Sequence, residues 1–295
     1  MVAEPLPRRR LLITGGSGAL GRALIPYLLN EGMIVRALCH RRAVEDAGVE
    51  TVWGDLLTFD DRWLDGVDAV IHLAAQTIPT ADRRAMMRNN TETAAGLVEA
   101  LKRRGGELPL VFTSSIAVHG PNRNGTPHEA QTMSEPCTDY GRAKLAAERV
   151  IGEYPQAIVV RLPMVVGAGR ALDVFRKLAR WRIFPLASGR FSAIDVRDVN
   201  RLLLQLAVAS SKRERLYEVS DRQVYHWRTV ADCLEKDGKI KLLRIPIPSF
   251  MLWPSLTGLI GNADGAYYLK YDWFCRPNFP EEFNVEFLAF ERKSL

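Results

Sequence analysis

Cysteine is scarce in this 295-residue chain. Cys39, Cys137, Cys233 and Cys275 lie far apart and form no Cys-x-x-Cys pair. That excludes a disulfide framework and a zinc ribbon, fits reduced thiols, and leaves no metal site to expect. Internal repeats and low-complexity tracts are absent, so neither a solenoid nor a disordered tail is indicated. Long apolar runs are missing too, with one exception. Residues 245–263 carry no charge, but Pro246, Pro248 and Pro254 interrupt them, each removing a backbone donor and resisting helix continuation. No integral membrane segment is expected. Residues 1–10 do not read as a secretory leader, which makes a cytoplasmic protein the expectation. The cationic excess is small, 40 Lys+Arg against 34 Asp+Glu. Its arginines come in short pairs such as Arg83-Arg84 and Arg103-Arg104 without interleaved aromatics, a pattern that argues against a nucleic-acid partner. What remains, 47% hydrophobic and 25% charged residues, is an ordinary globular composition at a length that needs no covalent staples.

The first half of the chain alternates strand and helix signals. Leu11–Thr14 is apolar and meets a glycine-rich turn, and Arg22–Glu31 follows in helical pattern. Strand-like segments recur at Met33–Cys39, Thr51–Trp53, Ala69–Leu73, Pro109–Ser114 and Ala157–Leu162, with helical patterns over Thr91–Arg104 and Tyr140–Glu153. Such alternation predicts an α/β fold, a doubly wound Rossmann-type parallel sheet covered on both faces. After Gly167 the alternation becomes irregular and proline and aromatic content rises. The expected division is a dinucleotide-binding core over 9–162, with 191–208 returning to it, and a smaller, mostly C-terminal substrate lobe made of 163–190 and 209–295.

The segment Gly15-Gly16-Ser17-Gly18-Ala19-Leu20-Gly21 sits between strand and helix, where a dinucleotide fingerprint belongs. One glycine permits the tight turn, another lets backbone approach the pyrophosphate, and Gly21 allows close helix–strand packing. A cofactor without a 2′-phosphate is usually held by an acid at the end of the second strand. This chain has none there, and His40-Arg41-Arg42 follow instead. Arginine's fork of donors suits a phosphate, so NADP(H) is expected over NAD(H), a solvated basic turn being the plain alternative. Asp55, with Leu56, lies just past the third strand, placed to accept from an adenine amino group or to cap a helix.

Tyr140 and Lys144 are four apart and share a helix face. A phenol titrates near 10 unperturbed; a neighbouring ammonium is expected to favour the phenolate and bring it toward working range. Ser115, at the end of the fifth strand, is positioned to hydrogen-bond a reacting oxygen as charge develops.

Taken in order, Thr14 to Gly21, Gly54-Asp55-Leu56, His72-Leu73-Ala74-Ala75, Phe112-Thr113-Ser114-Ser115, Tyr140-Gly141-Arg142-Ala143-Lys144 and Arg161-Leu162-Pro163 with Gly167 resemble the extended short-chain dehydrogenase/reductases. The chain is similar to their NAD-dependent epimerase/dehydratase family over residues 11 to about 200. The resemblance implies Tyr140 as acid/base, Lys144 on the nicotinamide ribose, Ser115 on the reacting oxygen and Asn90 ordering the active-site helix. It also implies Leu73, Ala74, Ala75, Thr113, Ser114, Pro163 and Met164 along the cofactor. His119 stands where relatives carry Tyr, a packing or substrate-rim position, and Arg190 is near a phosphate-binding arginine of the family. Relatives pair through the helices matching 91–104 and 140–153, which makes a homodimer the expectation.

Departures from the pattern narrow the chemistry. Ser115-Ile116-Ala117 replaces the Thr-Asp-Glu of the dehydratases, and Met164 replaces an Asn common in nucleotide-sugar epimerases. Leu162–Gly167 looks more like the dihydroflavonol reductase and hydroxysteroid dehydrogenase branches. The expectation is hydride transfer at a secondary alcohol or ketone carbon of a small-molecule substrate. A nucleotide-sugar epimerase and a catalytically silent NADP(H)-binding regulatory protein are the alternatives. Phe250, Leu252 and Trp253 are placed to wall an apolar pocket or to fill ordinary core.

Overall fold

A run of apolar β-branched and leucine residues between turn signals has one stable outcome in a parallel sheet, burial on both faces. Leu11, Leu12 and Ile13 are accordingly fully buried, as are Ala69, Val70 and Ile71. The computed structural model describes residues 8–76, 83–168, 173–208, 214–248, 263–280 and 283–290. The elements in chain order are β1 (Arg10–Thr14), α1 (Ala19–Asn30), β2 (Ile34–Cys39), β3 (Glu50–Trp53), β4 (Ala69–His72), α2 (Arg83–Arg103), β5 (Leu110–Ser115), α3 (Asp139–Gly152) and β6 (Ala157–Leu162). There follow β7 (Met164–Val166), α4 (Asp173–Arg180), β8 (Ile183–Leu186), β9 (Arg190–Asp195), α5 (Val196–Val208), β10 (Leu216–Glu218), β11 (Val224–His226), α6 (Trp227–Gly238), β12 (Leu243–Pro246) and α7 (Ala263–Lys270).

The main sheet has seven strands in the order β10-β6-β5-β4-β1-β2-β3, every pair parallel. The strand order reverses between β1 and β4, and the crevice outside the carboxyl ends of those two strands is where such sheets bind ligands. One layer under the sheet packs α1 and α5 against Leu11, Ile13, Val35 and Ile71. The other packs α2 and α3 against Leu12, Val70, Leu110 and Phe112.

The boundary between core and lobe differs from the one expected. Strand β9 does not rejoin the main sheet; it lies between β7 and β11 in a sheet of its own. Only α5 of segment 191–208 returns. In the opposite direction, β10, expected in the lobe, pairs with β6 and completes the main sheet. Three residues are too short to signal a parallel partner in sequence, and the pairing is set by the neighbouring fold. The small sheet, α4, α6 and a two-stranded sheet of β8 and β12 enclose a second apolar centre built on Phe175, Phe184, Phe191, Trp227 and Phe290. Phe250, Leu252 and Trp253 lie outside the described residues. Among the described residues, no helix is long and apolar enough to cross a membrane.

Candidate active site

The glycine loop is held by its neighbours as much as by its own turn. Gly15 has a φ of 74°, and a side chain there would bring a Cβ within 2.6 Å of Ala74 N. Gly21 presses α1 onto the loop, where a Cβ would collide with Gly16 O. Leu73 N donates to Thr14 O at 3.1 Å, so the loops after β1 and β4 run side by side. Helix α1 starts at Gly18 with no side-chain cap and no acid in its first turn. Its leading N–H groups and the positive end of its dipole are therefore left for an anion. Thr14 Oγ1 shares a 2.7 Å hydrogen bond with His72 Nδ1 beneath this crevice. Burial and the charge of Lys144 bring the His72 imidazole down to about 3, so it is neutral at physiological pH. The Ser114 hydroxyl at the end of β5 is buried without a partner among the described residues. These features fit a dinucleotide: a bare helix start for the pyrophosphate, and loops after β1, β4 and β5 lining its course.

Asn90 on α2 is buried and clasps the loop after β4 from below. Its Oδ1 accepts from Gln76 N at 2.7 Å and its Nδ2 donates to Gln76 O at 3.2 Å. It therefore fixes the strand of residues that includes Leu73, Ala74 and Ala75.

The candidate reactive groups gather at the carboxyl end of β5. Ser115 ends the strand and its hydroxyl accepts from Ala117 N at 3.2 Å, starting a single 3₁₀ turn over Ile116–Val118. Helix α3 is capped by Thr138, whose hydroxyl accepts from Gly141 N at 3.0 Å. Gly141 lets α3 close on that turn, because a Cβ would strike Ala117 O. Thr138 and Gly141 thus set the spacing that allows Tyr140 and Ser115 to hydrogen-bond. In sequence Thr138 does not stand out, and Gly141 enters only within the Tyr140–Lys144 motif. The capping threonine two residues before the Tyr and the small residue after it were the signals available. Lys144, one turn on, is buried and donates from Nζ to Thr113 O at 2.8 Å, lying 4.8 Å from the centre of the Phe112 ring.

One expectation is reversed. The Tyr140 phenol is not brought down by Lys144. Burial pushes it up to about 12, against a smaller opposing effect of the Ser115 hydrogen bond. Lys144 itself falls to about 8, driven by burial and countered in part by Glu148. Desolvation outweighs the ion here because the phenol and the ammonium both sit out of water and Lys144 is turned to a carbonyl.

Other predicted site residues lie elsewhere or already have partners. His40 is 3.6 Å from Asp55, and Asp55 caps the short turn that starts at Leu56 by accepting from Leu57 N at 3.0 Å. Arg41 and Arg42 are exposed just beyond the end of β2. Pro163 joins β6 to β7, which begins at Met164, at the carboxyl end of the main sheet. His119 is no rim residue, since its side chain is wholly buried, with Nε2 3.0 Å from Glu218 Oε2 and 3.2 Å from Arg161 Nη1. Arg190 pairs with Asp272 through Nη2 at 2.6 Å, and its own N–H donates to the same carboxylate. Among the described residues, no group of three His, Cys, Asp or Glu is arranged to hold a metal ion.

Comparison with known proteins agrees with this fold. Residues 11–217 match the NAD-dependent epimerase/dehydratase family. The ceramide reductase of Caulobacter vibrioides is 29% identical over 88% of this chain and 84% of its own. The sterol demethylase protein B of Methylococcus capsulatus is 32% identical over 73% of this chain and 72% of its own. Among solved structures, the Bordetella bronchiseptica enzyme WbmG in complex with NAD superposes with a TM-score of 0.76 at 19% identity, covering 98% of this chain and 93% of that one. Fold, glycine loop and family match converge: this chain belongs to the NAD-dependent epimerase/dehydratase family and is an NAD(P)-dependent enzyme of it.

Proposed function

We propose that the chain is a reductase or dehydrogenase that moves a hydride between a nicotinamide cofactor and a secondary alcohol or ketone carbon of a lipid-like molecule. The observation that carries this reading is the hydrogen-bonded pair Tyr140 and Ser115 at the carboxyl end of β5, with Lys144 buried one turn away. The bound nicotinamide supplies the hydride or receives it. In the reducing direction Tyr140, protonated throughout the physiological range, gives its proton to the carbonyl oxygen as the carbon takes the hydride. Ser115 donates to the same oxygen and stabilises its developing charge. Lys144, one turn on along α3, supplies a positive charge that offsets the phenolate left behind, and solvent restores the proton. The residues that would hold the cofactor are Gly15 to Gly21 at its pyrophosphate, Leu73 to Ala75, Thr113 and Ser114 along its length, and Pro163 and Met164 beside the amide.

Three observations support a lipid-like substrate over a nucleotide sugar. Met164 replaces a polar residue, Arg190 is already engaged by Asp272, and two relatives covering most of the chain are named for ceramide and sterol. The basic turn His40, Arg41 and Arg42 supports NADP(H) over NAD(H), and pairing of two copies through α2 and α3 is proposed for the assembly. A panel of ketosteroids, long-chain ketones and UDP-sugars, followed by NADPH oxidation and product analysis, tests the reading. Turnover of lipid-like ketones that Tyr140→Phe abolishes supports it; epimerised UDP-sugar without net cofactor oxidation overturns it. Titration with NADPH and NADH decides the cofactor, tighter NADH binding refuting the preference. Sedimentation equilibrium checks the dimer.

A further inference from the structure

The two-stranded sheet of the lobe has one face in the core and one in water. Its parallel register sets Leu243 beside Ile183, Arg244 beside Phe184 and Ile245 beside Pro185. Side chains alternate across a strand, so the fully buried Phe184 defines the inner face, and Ile183, Leu243 and Ile245 share the outer one. Among the described residues that outer face is open. Leu243 is 64% exposed and Ile245 45%, while Trp181, in the turn between α4 and β8, is 79% exposed. The turn is firmly made, with Trp181 N donating to Leu178 O and Arg182 N to Ala179 O, each at 2.9 Å. A strip of large apolar side chains of this kind marks a contact surface.

The charge on the two segments that carry the strip has one sign. Lys177, Arg180 and Arg182 on one side and Lys239 and Lys241 on the other are all exposed. Segments 176–183 and 239–246 contain no Asp or Glu. Of the acids on neighbouring α6, Asp232 and Glu235 are taken up by Arg244, which leaves Asp237 exposed. A second copy is a poor occupant, because a symmetric pairing would bring the same cations face to face. An anionic lipid surface meets each element. Tryptophan favours the headgroup boundary, lysine and arginine are drawn to anionic headgroups, and a strip of Leu and Ile enters the acyl margin. The sequence that leaves β12 stays without charge as far as Ala263, although residues 249–262 lie outside the described structure.

We propose that the outer face of β8 and β12, together with Trp181, docks the enzyme on an anionic bilayer surface. A docked enzyme of this kind would meet a lipid-like substrate where that substrate resides. The link to function rests on the reading above, but the surface does not, and the assay for it contains no substrate. The two therefore fail separately.

Flotation of the full-length protein with phosphatidylcholine vesicles, pure or about one third phosphatidylglycerol, tests the surface. The expected result is binding to the anionic vesicles only, released by salt at about 1 M. The double variant Trp181→Ser, Leu243→Ser should lower the bound-to-free ratio about tenfold. Arg180→Glu with Arg182→Glu should lower it about a hundredfold. Circular dichroism and NADPH affinity should stay at wild-type values in both. No flotation with anionic vesicles, or flotation that both double variants retain, overturns the proposal. A concentration-dependent dimer that Leu243→Ser splits, with no flotation, overturns it in favour of self-association.

Discussion

Lys144 and Glu148 stand one turn apart on α3 in opposite electrostatic conditions. Lys144 meets a backbone carbonyl and an aromatic face, and burial lowers its proton affinity. Glu148 meets Arg161 in a two-pronged pair at 3.0 and 2.8 Å, and Arg161 goes on to His119 and Ala130 O. Behind them His119 stacks on His128 at 4.6 Å. In the second centre charge answers charge, which ties α3 and β6 to β10 through Glu218. In the first, Glu148 answers the burial of Lys144 only in part, and groups left in that condition are the ones a ligand completes. Two buried polar centres on one helix thus divide the work, one holding the fold and the other carrying the chemistry proposed above.

The comparison breaks most sharply at Arg161. Replacing it with Leu strands the Glu148 carboxylate and should cost about 3–5 kcal/mol in urea unfolding. Adding Glu148→Gln should recover much of that loss. If Arg161→Leu is harmless, the second centre is not structural. Tyr140→Phe should do the reverse, cutting turnover about 10²–10⁴-fold with unchanged unfolding midpoint and cofactor affinity. Kinetics and denaturation on the same preparation read both.

Acid should find the first centre as well. His72 has its folded-state proton affinity lowered to about 3 from 6.5, so the stability it contributes is complete above pH 6.5 and lost as pH falls through that value toward 3. His128, brought down to about 4, adds in the same direction. Unfolding free energy should drop between pH 7 and pH 5 by on the order of 2 kcal/mol for His72 alone. In His72→Asn that part of the slope should vanish, whatever the variant's absolute stability. The smallest effect concerns the rim. Arg41→Ser with Arg42→Ser should weaken NADPH by about tenfold and leave NADH unchanged, as isothermal titration would show.

Much of the active side of this division was legible in sequence because it is written locally. The glycine loop, the Tyr140–Lys144 spacing and the apolar strands each fit within a few residues, and periodicity reports them. Burial and long-range partners are not local. Nothing near His119 announces Glu218, nor does anything near Arg190 announce Asp272, so both histidine and arginine read as site residues until the chain closed around them. The proton affinity of Tyr140 was misjudged for the same reason, since spacing shows that an ammonium is near but not that both groups leave water. Strand β10 reads as part of the lobe because its role comes from the open side of β6, not from its own three residues.

That open side matters as the chain emerges from the ribosome. Strand β6 is buried along its whole length, yet until Leu216–Glu218 are made it is the outermost strand of an unfinished sheet. Its unpaired N–H and C=O groups then form a template for any other nascent strand. A truncation after residue 208 should therefore yield inclusion bodies rather than a free-standing nucleotide-binding domain, although every residue of the glycine loop and the Tyr140–Lys144 pair would be present.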